Sequence, residues 1–385
     1  MPWMEKRVEM LREQFVKQSL KEDRNISALC REYGISRKTG YKWIKRFQES
    51  GCLEDRSRKP KRISSKTDKR IEELIIALRK ERPGWGARKI HVFLSQKGHN
   101  MPCIRTVNNI LKRNGLISLE ASQARRPFKR FEREHNNDLW QADYKGPILM
   151  TDGNRCHPLG IIDDHSRFAL RLEVRHHQRD VLQSFIHTFR DYGLPQSILT
   201  DNGSTFAGFK QGYTQFERAL MDQDVLPIHG RVRHPQTQGK IERFYRSMSD
   251  ELLKFHHLQD FVDATEALEQ WKTVYNHERP HEALDDRCPA QIYTPSQRAY
   301  QEKVLPYEYS SQYRMYRINN WGFLRFASYQ IFISVTFQDT HVQLIPIEAE
   351  DTVQVCYRNF VIAKIDLTYG ELISRKAYRR KPMYN

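Results

Sequence analysis

This chain has little sulfur with which to build a site. Its 385 residues include six cysteines (Cys30, Cys52, Cys103, Cys156, Cys288 and Cys356), and no two form a C-x-x-C pair. That spacing argues against a zinc ribbon and a disulfide framework. It favours reduced, mostly buried thiols in a cytosolic protein. Long apolar runs are missing as well: no stretch approaches the roughly 20 residues of a membrane span, and no signal peptide opens the chain. Acidic charge is in deficit. Against 64 Lys and Arg stand 47 Asp and Glu, a formal net charge of +17 with a pI near 9.6. Such a balance suits a polyanionic partner, although a basic ribosomal or membrane-surface protein shares it on composition alone. The length calls for two or more domains.

Three of the acidic residues sit in distinctive surroundings. Asp143 closes Asp138-Leu139-Trp140-Gln141-Ala142-Asp143. Asp201 closes Ser197-Ile198-Leu199-Thr200-Asp201 and precedes Asn202-Gly203-Ser204. Glu242 lies in His234-Pro235-Gln236-Thr237-Gln238-Gly239-Lys240-Ile241-Glu242-Arg243. Two carboxylates ending strands and a third on a helix make a hard, oxygen-rich site that suits Mg²⁺ or Mn²⁺. In a strongly basic chain, that chemistry points to phosphoryl transfer on nucleic acid. On the helix, Gln238, Glu242 and Arg246 share one face while Ile241, Phe244 and Met248 turn inward. Lys240 and Arg243 flank the acidic face and are candidates for a DNA phosphate clamp, with Gln236 and Gln238 as contacts to bases or sugars. Asp163 and Asp164 compete for the metal role, since they too end a strand. They rank lower because His165-Ser166-Arg167 reads as a turn. The pairs His176-His177 and His256-His257 are discounted, because adjacent histidines face apart.

Periodicity divides the rest. Residues 4–48 read as three helices: Val8, Leu11 and Phe15 mark the first, and Ile26, Leu29 and Cys30 the second, ending at Tyr33-Gly34. Ser36 caps the third, with Tyr41, Ile44 and Phe47 inward and Arg37, Lys38, Lys42 and Lys45 outward. Helix, glycine turn, helix is the helix-turn-helix layout, which makes those four basic residues candidates for DNA binding. From Glu54 to Arg70 eight basic residues face three acidic ones, which reads as a linker able to follow a phosphate backbone. A second helical set comes next: Ile71, Leu74, Ile75 and Leu78; then Pro83-Gly84-Trp85-Gly86 as a break; then Ile90, Phe93 and Leu94; then Val107, Ile110 and Leu111. Arg125, Arg126, Lys129, Arg130 and Arg133 form another basic stretch. Strands are expected at Pro158–Asp163, Phe168–Val174, Ser197–Thr200 and Val225–His229. A helix bearing Val181, Leu182, Phe185, Ile186 and Phe189 stops at Gly193. This is a mixed sheet flanked by helices. Beyond Pro295, Tyr316–Ile318, Leu324–Ala327, Gln330–Val335, Val342–Ile345, Thr352–Tyr357 and Phe360–Ile365 suggest a small barrel or sandwich.

These tracts resemble the bacterial insertion-sequence transposases of the Asp-Asp-Glu type, with a retroviral-integrase-like catalytic core. Asp163-Asp164-His165-Ser166-Arg167 and Tyr275-Asn276-His277-Glu278-Arg279-Pro280-His281 read like that family too, and the likeness covers nearly the whole chain. One departure stands out: Asp201 and Glu242 are 41 positions apart, a little more than the family's usual interval. The excess falls between Gly208 and Asp224. The resemblance implies a multidomain protein: a helix-turn-helix domain (1–53), a basic linker (54–66) and a second helix-turn-helix-like domain (67–118). A further linker (119–134), a central α/β ribonuclease-H-like core (135–298) and an SH3-like C-terminal β-barrel (299–385) complete it.

It also implies a site in which Asp143, Asp201 and Glu242 hold two Mg²⁺ ions, or Mn²⁺ in their place, with Asp143 bridging. Retroviral integrases carry an N-terminal His/Cys zinc module; no such spacing occurs here, and no zinc is expected. The implied activity is binding of the terminal inverted repeats of a mobile element, cleavage of its ends and joining to target DNA. Double-stranded DNA is then the partner, with a dimer or larger assembly on it and no membrane. The expected location is cytoplasmic, at the nucleoid when bound to DNA. The alternatives are a DNA-binding regulator with a degenerate core and a ribonuclease-H-type nuclease. An intact triad argues against the first, and two upstream DNA-reading domains against the second.

Overall fold

The computed structural model describes residues 8–21, 24–55, 67–117, 133–178, 181–203, 205–208, 212–230, 239–347 and 351–380. The tract His234 to Gln238, most of the first basic linker and the stretch from Arg125 to Arg130 lie outside them. The chain forms two compact units, Met1–Lys66 and Thr67–Asn385.

The first unit holds α1 (Val8–Ser19), α2 (Ile26–Glu32) and α3 (Arg37–Ser50). Asn25 caps α2 by accepting from the Ser27 and Ala28 amides, and Ser36 caps α3 through Thr39 N. Gly34 makes the turn at φ +62°. The core consists of Phe15, Val16, Leu29, Cys30 and Trp43. Tyr41 is 57% exposed, and Val8 and Leu11 also face solvent, contrary to expectation. The inward stripe of α3 runs Gly40, Trp43, Ile44, Phe47. It centres on Gly40 because a Cβ there would stand 2.5 Å from Cys30 Sγ and 2.9 Å from Phe15 Cζ. On α1 the register shifts to Phe15 and Val16, and the Arg12 guanidinium lies 3.9 Å from the Trp43 ring centroid.

The second unit begins with α4 (Lys69–Glu81), α5 (Ala87–Gln96) and α6 (Ile104–Arg113). Their shared core contains the expected residues, Ile75, Leu78, Ile90, Leu94, Val107, Ile110 and Leu111, together with Trp85. This helical set is fastened to the later part of the same unit. Arg82 pairs with Glu278 at 2.8 Å, Arg88 with Asp286 at 2.9 Å and Lys89 with Glu251 at 2.5 Å. Gly84 lies so close to residue 251 that a Cβ would meet Glu251 Cα at 2.8 Å.

Six strands build the central sheet: β1 (Trp140–Tyr144), β2 (Ile148–Leu149), β3 (Arg155–Asp163), β4 (Ala169–Arg175), β5 (Ser197–Thr200) and β6 (Leu226–His229). The long strands run in the order β4-β3-β1-β5-β6, with β2 beside the start of β3. β3 is antiparallel to β1 and β4, whereas β5 is parallel to β1, and β6 to β5. Three antiparallel strands extended by two parallel ones make a ribonuclease-H-like core. Helices α7 (Val181–Tyr192) and α8 (Gln215–Asp222) cover one face through Phe185, Phe189, Phe216 and Leu220. On the other face lie α9 (Gly239–Met248) and α10 (Phe261–His277), with Ile241, Phe244, Met248, Leu268 and Trp271 inward. Because side chains alternate along a strand, Trp140 and Ala142 enter the first layer, and Gln141 and Asp143 turn toward α9.

Among the described residues the C-terminal region is β-rich but does not close into a barrel. Strands β7 (Met315–Arg317), β10 (His341–Ile347), β11 (Thr352–Tyr357), β12 (Phe360–Asp366) and β13 (Glu371–Ser374) form one path, with β14 (Tyr378–Arg379) beside β12. Strands β8 (Phe323–Phe326) and β9 (Tyr329–Phe332) make a separate hairpin. The strand expected over Gln330–Val335 stops at Phe332, because Ser334 caps a short 3₁₀ turn through Thr336 N. β2, β13 and β14 were not expected from the sequence. Tyr213 and Met221 from around α8 enter this region's core, and Tyr213 Oη donates to Ile362 O at 2.6 Å.

Candidate active site

Asp143 lies one residue from the end of β1, and Asp201 follows β5 directly. These strands are parallel neighbours, with Trp140 opposite Ile198 and Gln141 opposite Leu199. The same register carried two residues further sets Asp143 level with Asp201. The Asp201 carboxylate accepts from Gly203 N at 2.9 Å, which fixes the turn after β5. Helix α9 crosses this end of the sheet and brings Glu242 over it. The Tyr245 hydroxyl donates to Asp143 O at 2.5 Å, tying α9 to β1. Asp143 is half-buried and Glu242 exposed.

The Asp143 carboxyl responds to both of the other acids. Burial, then the neighbouring Asp201 carboxylate, then Glu242 push the Asp143 carboxyl up to about 7, against a pull from the Tyr144 backbone. Among the described residues no three His, Cys, Asp or Glu side chains are gathered closely enough to hold an ion. The two findings agree, since charge repulsion reaches further than a coordination shell. The donor set still fits a hard divalent cation. It offers only carboxylate oxygens, and their mutual repulsion is what a bound cation would relieve.

The other acids of the region are engaged elsewhere. Asp163 is buried at the end of β3 and accepts from Asn137 N, Ser166 N and Ser166 Oγ. Asp164 is buried too and accepts from Gln141 Nε2 at 2.7 Å and Arg133 N at 3.0 Å. Glu217 closes the capping box of α8 and meets His229 Nε2 at 2.8 Å. Asp224 pairs with Arg379 at 2.9 Å. The discounted histidines have ordinary roles: His176 stacks on Phe261, and His256 pairs with Asp263.

The basic candidates divide. Arg37, Lys38, Lys42 and Lys45 are exposed on α3; the Lys45 ammonium lies 3.8 Å from Glu49, and Lys42 5.4 Å from the Trp43 ring centroid. Arg243 and Arg246 are exposed on α9 beside Glu242. Lys240 differs, because its ammonium turns inward onto the Asp164 carboxylate. Gln141, Asp164 and Tyr245 therefore belong to the surroundings of the site. Strand alternation placed Gln141 on the Asp143 face, but nothing in the sequence paired it with α9.

Family models match four stretches of the chain. Residues 133–235 and 223–289 match integrase core domain families. Residues 11–61 match a helix-turn-helix domain, and residues 39–111 a homeodomain-like domain. The insertion element IS407 uncharacterized 31.7 kDa protein of Burkholderia multivorans is 24% identical over 230 residues, 57% of this chain and 78% of its own length. Transposase InsD for insertion element IS2A/D/F/H/I/K of Escherichia coli is 27% identical over 227 residues, 54% of this chain and 73% of its own. The transposase for transposon Tn552 of Staphylococcus aureus is 24% identical over 259 residues, 60% of this chain and 53% of its own. Among solved structures, the HTLV-2 integrase catalytic core domain in complex with magnesium aligns at 16% identity and a TM-score of 0.33. That alignment spans 42% of this chain and 99% of the other.

Proposed function

The chain belongs to the bacterial insertion-sequence transposases with an integrase core, and on that premise we propose that it cleaves the ends of a mobile element and joins them to target DNA. Asp143, Asp201 and Glu242 are the catalytic carboxylates. The observation that carries this reading is the parallel register of β1 and β5, which sets Asp143 level with Asp201 while Tyr245 ties the helix of Glu242 to Asp143 O; the raised Asp143 carboxyl is in keeping with it. Asp143 and Asp201 are held by the sheet, and Glu242 closes the site from α9. Two Mg²⁺ ions, or Mn²⁺, held by these residues would supply charge neutralisation and alignment at the attacking and leaving oxygens of an in-line displacement. Asp143, Asp201 and Glu242 would together hold the ions and offset their charge. In the cleavage step water attacks the phosphorus and the bond to the 3′ oxygen breaks, leaving a 3′-hydroxyl; in the joining step that hydroxyl attacks a target phosphorus and displaces a 3′ oxygen of the target strand, so no covalent protein–DNA intermediate is needed.

The remaining parts divide the labour. Helix α3 presents Arg37, Lys38, Lys42 and Lys45 to the terminal inverted repeats, as a recognition helix does in the major groove. Arg243 and Arg246 flank Glu242, where they meet phosphates of the reacting strand. On this reading the domains are those expected from the sequence, and the β-rich region 299–385 serves as a module that touches DNA or a second subunit. Two ends are processed together, so the working form on DNA is a dimer or larger.

The test is a strand-transfer assay with labelled element ends. Joining should require Mg²⁺ or Mn²⁺, and Ca²⁺ should support end binding with little chemistry. Full activity after EDTA treatment, restored only by Zn²⁺, contradicts the assignment.

A further inference from the structure

The helix that carries Glu242 is fastened to the sheet on both sides of that residue. Two positions before it, Lys240 Nζ meets the Asp164 carboxylate and donates to Asp164 O at 3.2 Å. One position before it, Ile241 N donates to Gln141 Oε1 at 3.3 Å. Gln141 is joined to the same Asp164 at 2.7 Å. Three positions after it, Tyr245 bonds Asp143 O. Asp164 is fully buried and Gln141 is 2% exposed. The Lys240 ammonium is thus paired with a carboxylate inside the protein. Gly160 completes the seat. It lies opposite Asp143 across β1 and β3, and a Cβ there would stand 2.7 Å from Tyr245 Oη.

We propose that Lys240, with Asp164 and Gln141, is a positioning device that sets Glu242 against Asp143, and that Lys240 is not a phosphate contact. This rests on the reading of Glu242 as the third carboxylate of the site. Gln141 lies on the Asp143 face of β1 and its amide oxygen takes the first-turn amide of α9. The strand that holds one carboxylate thus also fixes the helix that holds another. Asp164 orients Gln141 through its amide nitrogen and Lys240 through its ammonium, so one buried carboxylate locks both. Outer partners of this kind hold ligands in place, and their loss typically costs about 10–100-fold in metal affinity or activity.

The test uses the full chain in five forms: wild type, Glu242→Gln, Lys240→Arg, Lys240→Met, and the double variant Lys240→Met with Asp164→Leu. The double variant leaves no unpaired buried charge, so it carries the test if Lys240→Met alone does not fold. Three quantities are read: end binding as a function of salt, Mn²⁺ binding without DNA by electron paramagnetic resonance, and the joining rate. Lys240→Met and the double variant should bind ends with wild-type affinity and salt slope. They should lose roughly tenfold or more in Mn²⁺ affinity and in joining rate, with KM for DNA unchanged. Lys240→Arg should recover part of both losses. A double variant with wild-type Mn²⁺ affinity and joining overturns the positioning role. So does a salt slope reduced by about one with Mn²⁺ binding unchanged, the mark of a phosphate no longer neutralised. Glu242→Gln separates the two levels. If it fails while the double variant behaves as wild type, only the positioning role falls. If it joins ends and binds Mn²⁺ as wild type, the underlying reading falls as well.

Discussion

Two three-helix sets precede the catalytic core, and some of their basic residues are placed in opposite ways. In α1–α3, Arg37, Lys38, Lys42 and Lys45 lie on an exposed helix face. In α4–α6, Arg82, Arg88 and Lys89 reach acids far along the chain, at Glu278, Asp286 and Glu251. Glu251 is the deepest of these partners, taking Lys89 and also Arg279 at 2.9 Å while almost fully buried. A basic helical domain is therefore not automatically a DNA surface. What matters is whether a carboxylate inside the protein claims the charge first, since a buried pair is strongly coupled and an exposed residue stays available to phosphate.

The largest effect expected from this contrast is on recognition. Deleting residues 1–60 should remove the discrimination between element ends and random DNA, a loss of about a thousandfold or more, and leave weak, salt-sensitive binding. A gel-shift titration with both DNAs checks it, and an equal loss on both would erase the contrast.

Next comes stability in the second set. Glu251→Ala strands Lys89 and Arg279 and should cost about 3–5 kcal/mol in denaturant unfolding. A cost below about 1 kcal/mol would show that the docking charges do little.

Charge buried among like charges behaves differently from charge buried with a partner, and Asp143 shows the difference. Its folded carboxyl is raised from 3.8 to about 7. In metal-free protein its contribution to stability is therefore fully present below pH 3.8 and lost as pH rises through 7. Asp143→Asn mimics the protonated form. In EDTA above pH 7 it should be more stable than wild type by about 2 kcal/mol, after allowance for screening at a half-buried site. Melting temperature followed across pH 4–8, a range of about four units around these values, shows whether that slope disappears.

The smallest effect on folding belongs to the exposed face. Arg37→Ala with Lys38→Ala should change stability by no more than about 0.5 kcal/mol. The same pair should lower the salt slope of end binding by about one for each phosphate that is no longer neutralised. An unaltered slope would remove α3 from the DNA interface.

Much of this was legible in the sequence. Period-two and period-3.6 patterning located every strand of the core except β2, and the buried stripes of α4, α5, α6, α7 and α9. Strand ends put Asp143 and Asp201 on neighbouring strands, and helix face put Glu242 on the exposed side of α9. The misreadings share a cause, in that they depend on partners distant in sequence. Tyr41 seemed inward because spacing alone does not reveal that Gly40 lets α1 and α2 press against α3. For Lys240, read as a candidate phosphate clamp, the pairing with Asp164 was hidden because the two lie 76 positions apart. The docking of α5 is invisible for the same reason, since Lys89 and Glu251 are 162 positions apart. Local pattern reports a face; it does not report which distant charge meets that face.

The central claim is that three carboxylates act as one catalytic set, and Glu242→Gln tests it most directly, in a Mg²⁺ strand-transfer assay paired with end binding. The substitution keeps size and helix propensity, and α9 stays anchored by Ile241, Phe244 and Met248. End binding and metal-free melting should match wild type, while cleavage and joining fall by about a hundredfold or more. Joining at near wild-type rate would contradict the account and remove Glu242 from the site.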